Sequence, residues 1–425
     1  MRIPIGAPSF GKRDSEQSRD TKNMNNSRIP GVGFVLAVYA ASRIFYLALG
    51  SLLARVVPVA DFQRITFDMP SGSMNIWSHW DGEHYVALAM YGYLDGPTRV
   101  PPAFFPLYPL LVRSSSELFG GPLSEQALSH WGPLLSLLFL PFAFYFIYGL
   151  ALDGWDERVA KGTILALAFF PTNFFLNAAY TESLFLALSA GSLWAMRVKR
   201  NLLLGVILAG FAAATRNVGI FLVVPLMIEW IKAGGLKQGR EKWHGLYLAL
   251  APSGLIVYMG YLWIRFGDPL LFYSSQKNWG REATGPLASA TRAWDLAVED
   301  ARILSDPVLW ADLSLGALAD HLGGANCLFN LAFLAFAVVI LLAGLRELPL
   351  SLTIYGFLLI APAALFGTPE DPLFGAPRYV LMAFPIFIVL GLLARNKLIF
   401  AGWLIVSTVV SVILCGLFVS WRFVA

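Results

Sequence analysis

Long apolar runs separated by short polar turns recur from Gly31 to the end of the chain, with Gly and Pro scattered inside them. When each run must approach the roughly 20 residues that cross a bilayer and reverse at a polar or Pro/Gly-rich break, about eleven helical spans emerge. They cover Gly31–Val57, His130–Leu152, Val159–Leu176, Ser183–Val198, Leu202–Thr215 and Val218–Ile231, then Gly245–Arg265, Asn326–Leu345, Leu350–Phe366, Tyr379–Ala394 and Leu398–Ser420. The pattern predicts an all-α polytopic membrane protein. Residues 1–29 are polar, basic and rich in Ser and Asn, without the apolar core of a cleavable signal, and read as a disordered cytoplasmic tail. Residues 30–425 form the transmembrane unit.

Composition agrees: 57% of the 425 residues are hydrophobic and 14% charged, which no soluble domain matches. The net charge of +4 does not point to nucleic acid, because the basic residues are spread over short turns rather than gathered in a patch. With the N-terminus inside, the tail and the turns "DGWDERVAK", "RVKRN", "KAGGLKQGREKW", "GLRELP" and "ARNK" hold about 18 of the 31 Lys and Arg, as the positive-inside rule requires. Cys327 and Cys415 fall within apolar runs and read as small hydrophobes.

This orientation places two long segments outside, 58–129 and 266–325, together with the short turns "YTES", "TRNVG" and "TPEDPLFGAPRY". The costly polar groups therefore gather on one face, and in a membrane protein such groups mark a site or pathway. "SHWDGEHY" sets Asp81, Glu83 and His84 among aromatic residues. A capping box from Ser78 to Asp81, or Asp81 as a cap, would explain one carboxylate but not three ionisable groups together. "PPAFFPLYPLLVR" is short and proline-broken, and reads as an interfacial helix roofing the Asp81 region; the rival is a twelfth span.

Glu182 lies in the "YTES" turn, where it could simply start a helix. Arg216, followed by Asn217, interrupts about thirty mostly apolar residues and needs an anionic partner, Glu182 or a phosphate. Arg43 in the first span raises the same question, with a structural ion pair as the simpler answer. Gln276 and Trp279 stand at i, i+3, an amide and a ring suited to a sugar. Arg378, followed by Tyr379, opens a span, where snorkelling is the cheaper explanation. Together these residues suit transfer of a sugar from a lipid-linked phosphate: a carboxylate as general base towards an acceptor hydroxyl, with arginines stabilising the departing phosphate.

"WDGEHY" with "AMYGY", "FFPLYPLL", "YTESLF", "TRNVG", "GDPLLFYSSQKNW" and "PRY" occur in this order, and the chain resembles the PIG-V mannosyltransferases and their bacterial relatives. The resemblance implies a GT-C glycosyltransferase fold with polyprenyl-phosphate mannose as donor substrate. It further implies Asp81 as catalytic base, with His84, Glu182, Arg216 and Arg378 lining the site. Val218 departs from the polar residue expected in the family's arginine turn. The absence of Asn-x-Ser/Thr from the long outer segments favours a bacterial plasma membrane over the endoplasmic reticulum. The acceptor would then be a glycolipid, a glycan or a protein.

The expected reaction is inverting and uses neither metal nor cofactor; "VED" at 298–300 and "PED" at 369–371 read as solvated loop charges. A transporter or flippase of lipid-linked sugars is the rival class, and would call for polar groups through the bilayer midplane and paired broken helices. A noncatalytic subunit of a glycosylation complex would have no need for Asp81.

Overall fold

The computed structural model describes residues 31–60, 75–93, 100–237 and 240–424; the expected N-terminal tail lies outside them. α1 (Val32–Val56) leads to a 3-10 turn at Ile76–Ser78 and the short helices α2 (Asp81–Tyr91) and α3 (Leu107–Leu118). α4 (Glu125–Gly154), α5 (Glu157–Ala168), α6 (Glu182–Arg197), α7 (Leu202–Thr215) and α8 (Val223–Lys232) follow. The second half holds α9 (Ser253–Phe266), α10 (Leu271–Ser274), α11 (Pro286–Leu304), α12 (Leu315–Gly323), α13 (Asn326–Ala343), α14 (Leu350–Leu365), α15 (Ala376–Met382), α16 (Pro385–Leu392) and α17 (Lys397–Val419). A two-residue antiparallel ladder pairs β1 (Glu282–Ala283) with β2 (Phe366–Gly367).

The turns that set orientation also start helices. Asp156, Asn201 and Asn396 each accept a backbone N–H of the helix that follows, satisfying amides with no partner within the helix. α4 carries α6 and α2 on its sides, α7 packs on α6, and α16 packs on α5. A Cβ on Gly391 of α16 would stand 2.4 Å from Thr163 Oγ1 and 2.7 Å from the Val159 carbonyl of α5, so only glycine allows this approach. Gly391→Val is expected to lower stability by about 1–3 kcal/mol through overpacking, read as a lower unfolding temperature in detergent.

The eleven expected spans reduce to four helices long and apolar enough to cross a membrane among the described residues, or six if two bent pairs each count as one. The four are α1, α4, α13 with its 3-10 extension to Arg346, and α17. The bent pairs are Lys242–Leu250 with α9, and Ala376–Met382 with Pro385–Arg395, the second turning by 74°. The other expected spans are helical but short. α6 has 16 residues, all but two of them buried in protein, so its apolar run serves the core. By contrast α1, α13 and α17 expose Ile44, Leu52, Val339, Ile405 and Val406, as helices facing lipid do. α3 is a separate 12-residue helix, too short to be a twelfth span on its own.

The capping expectation for Asp81 is not met. Ser78 donates to the Ser129 carbonyl at 2.6 Å, Trp80 occupies the cap position of α2 with no side-chain cap, and Asp81 is the first helical residue. Trp80 holds φ at +59°, a left-handed conformation that costs a bulky residue free energy and is typical of functional turns. Among the described residues Arg43 is not in an ion pair either: its guanidinium donates to the amide oxygens of Asn177, at 2.5 Å, and Asn173, and lies 5.2 Å from the Tyr46 ring. Two neutral carbonyl dipoles meet its charge inside the bundle.

Candidate active site

Four elements distant in sequence meet at one buried cluster. Arg378, near the start of α15, donates from Nη1 to Asp81 Oδ2 at 2.5 Å and from Nε to Glu182 Oε1 at 2.7 Å. Arg216, just past α7, donates from Nη1 to the same Glu182 oxygen at 3.1 Å and to Thr181 Oγ1 at 2.8 Å. Aromatic faces complete the packing: the Arg378 guanidinium lies 4.6 Å from the Tyr180 ring, and that of Arg216 lies 5.8 Å from Tyr379. Glu182 opens α6 with no exposed surface, where the positive end of the helix dipole favours a carboxylate. It orders both arginines from behind.

In front of this cluster is a cavity of about 340 Å³. Asp81, Arg216, Asn217, Gln276, Trp279, Arg378 and Tyr379 all line it, with Phe104 and Tyr85 from the segment between α1 and α4. Gln276 and Trp279 lie in a 3-10 turn, Ser275–Trp279, where residues three apart eclipse and share a face. Asp81 keeps 30% of its side-chain surface exposed while Arg378 is 9% exposed, so the carboxylate meets solvent and the guanidinium does not. Burial raises the Asp81 pKa, but the Arg378 charge and hydrogen bond outweigh it and hold the carboxyl below the ordinary carboxylate range. Burial pushes the His84 imidazole down, against the pull of Asp81, so His84 is neutral near pH 7. Burial also pushes the Tyr85 phenol up to about 12, leaving it a neutral donor.

Three expected residues do not line the cavity: Glu182, which lies behind the arginines, and Glu83 and His84 on α2. Glu83 is buried and points elsewhere, because residues two apart on a helix do not share a face. His84 does share a face with Asp81, and its ring lies 4.8 Å from Phe104 and 6.1 Å from Trp279, so it supports the cavity's aromatic wall. One lining residue, Arg281, went unnoticed in the sequence, where it looks like any charge in the polar stretch "QKNWGRE".

The two acidic triplets were also misjudged as solvated loops. Val298–Asp300 lies within α11, and Asp300 Oδ2 accepts the Leu328 amide at the start of α13. Asp371 is half-buried: Asn330 Nδ2 donates to both its oxygens, at 2.9 and 2.8 Å, and desolvation pushes its pKa up to about 6. No group of three or more His, Cys, Asp or Glu side chains converges on a metal-binding point among the described residues.

These helices define a multi-pass, mostly helical membrane protein. Residues 32–233, just under half of the chain, match the family model described as Mannosyltransferase (PIG-V). It is 30% identical over 211 residues to the GPI alpha-1,6-mannosyltransferase 2 of Homo sapiens, covering 45% of this chain and 41% of that relative. The Mus musculus protein of the same name is 31% identical over 203 residues, 44% of this chain and 40% of the relative. The chain thus matches about two fifths of the length of these curated relatives. The family model's match, residues 32–233, spans Asp81, Glu182 and Arg216; Gln276, Trp279, Arg281, Arg378 and Tyr379 lie beyond it. Among solved structures, the Archaeoglobus fulgidus oligosaccharyltransferase complex with Zn and sulfate aligns with a TM-score of 0.45 and 12% identity, over 91% of this chain and 53% of that one.

Proposed function

We propose that this protein transfers mannose from a polyprenyl-phosphate mannose to an acceptor hydroxyl at the extracytoplasmic face of the membrane, with inversion at the anomeric carbon. The observation that carries the reading is Asp81: an ionised carboxylate on the wall of a cavity, fixed by an arginine that Glu182 in turn fixes. The mannose and the lipid-linked donor come from the family. The acceptor hydroxyl attacks C1 as its proton passes to Asp81; the bond from C1 to the phosphate oxygen breaks, and its electron pair stays on the phosphate. Gln276 and Trp279 are positioned to hold the sugar by hydrogen bonding and ring contact. A GT-C architecture, with the site formed by the outer segments, fits this reading.

Transfer of labelled mannose from polyprenyl-phosphate mannose, in membranes containing the native acceptors, tests it. Labelled product that depends on the wild-type protein is expected, and its mass identifies the acceptor. No product with verified donor would refute the reading. The pH profile follows from the Asp81 shift: a depressed carboxyl stays ionised as pH falls and loses its function only below the ordinary value. The transfer rate should be flat from about pH 8 to about pH 4, with its acid limb lower still. A limb near 6 would instead implicate Asp371, whose pKa is about 6.

A further inference from the structure

Three guanidinium groups line the cavity, and they are not equivalent. Arg378 is matched by Asp81 and Glu182, and Arg216 by Glu182. Arg281 makes no ion pair among the described residues. Its Nη1 donates to Gln276 Oε1 and its Nη2 to the Phe366 carbonyl, each at 3.3 Å, the long end of hydrogen bonding. Its Nε is buried with no hydrogen-bond partner there. Asp371 is near enough to feel the charge, but it forms no ion pair with Arg281 among the described residues, and its oxygens accept from Asn330.

Local geometry explains how Arg281 comes to lie here. Gly280 turns the chain with φ at +65°, and Glu282 and Ala283, which follow Arg281, pair with Gly367 and Phe366. The guanidinium then rests 5.2 Å from the Phe374 ring. Counting the charges that line the cavity together with Glu182, three are positive and two negative in a largely buried space, Asp371 lying outside the lining. Uncompensated charge there is costly, and an anion would offset it.

We propose that Arg281 anchors the phosphate of the lipid substrate, while Arg216 and Arg378 serve chiefly to position Glu182 and Asp81. This rests on the transfer reading above. As the bond to C1 breaks, a phosphodiester with one negative charge becomes a monoester with two. Among the described residues Arg281 is the cavity arginine with no carboxylate partner, so its charge is the one left to meet that gain.

Binding of farnesyl phosphate, farnesol and inorganic phosphate to the full chain in nanodiscs tests the assignment without requiring turnover. Arg281→Gln should weaken farnesyl phosphate binding by roughly 10–100-fold, the worth of a charge-assisted contact, and leave farnesol binding unchanged. Arg281→Lys should fall between, since it keeps the charge but loses the fork. Unchanged farnesyl phosphate binding in Arg281→Gln overturns the anchor, as does equal weakening of farnesol, which would indicate a structural role. Inorganic phosphate binding as tightly as farnesyl phosphate would overturn the lipid source. The two readings fail separately. Wild-type donor KM in Arg281→Gln removes the anchor and leaves mannose transfer standing; Arg281-dependent farnesyl phosphate binding without any mannose transfer keeps the anchor and removes the reaction.

Discussion

Asp81→Asn is expected to reduce mannose transfer by about 10²–10⁴-fold, the usual worth of a positioned general base, while the protein still inserts and binds farnesyl phosphate. The substitution is nearly isosteric, and the amide oxygen can still accept the Arg378 Nη1 hydrogen bond now made to Oδ2. What it removes is the capacity to take a proton, together with half of the charge that balances Arg378. Measuring initial rates at saturating donor alongside the unfolding temperature separates chemistry from folding. A variant that turns over at the wild-type rate would exclude Asp81 as the base. One that loses its fold would show instead that the pair with Arg378 is structural, and Asp81→Glu, which restores the charge on a longer arm, would then recover stability without the rate.

Glu182→Ala is expected to have the largest effect on stability. The carboxylate is wholly buried, and one of its oxygens serves both Arg378 and Arg216. Removing one member of a buried ion-pair network leaves uncompensated charge and costs about 3–5 kcal/mol. Here two guanidinium groups would share Asp81 alone. Glu182→Gln keeps the shape and part of the hydrogen bonding, so its loss should be smaller. Thermal unfolding in detergent orders the three proteins as wild type, Gln, then Ala; an alanine variant as stable as wild type would refute the role assigned to Glu182. Transfer should fall with stability in both variants, because Arg378 connects Glu182 to Asp81.

Much of the site was legible because charge is conspicuous in a chain this apolar. Asp81 and Arg216 stood out by the cost of placing them near lipid, whereas Glu182 and Arg378 each had a plainer local explanation, a helix start and snorkelling; all four meet. Gln276 and Trp279 were legible by spacing, since i and i+3 share a face in either kind of helix. Glu83 was an avoidable error: two residues from Asp81 on one helix, it had to face away. Arg281 and Asp371 carried no such signal. Both sit in polar stretches whose composition suits a solvated loop, and only the pairing of β1 with β2 and the packing of Asn330 and Phe374 take them out of water.

The sequence by itself determined that the chain is helical and membrane-embedded, that its costly polar groups belong to a few segments between the apolar runs, and where most helices begin. Those properties depend on local composition, on short-range spacing and on caps such as Asp156, Asn201 and Asn396. Which apolar helices reach lipid was decided by the tertiary structure. An apolar run is equally satisfied by lipid tails and by other side chains, and α6 is buried in protein where α17 is not. The charge balance of the cavity was decided there too. Whether an arginine has a carboxylate partner depends on residues brought together across the whole chain, as Asp81 and Arg378 are, and no local pattern records that.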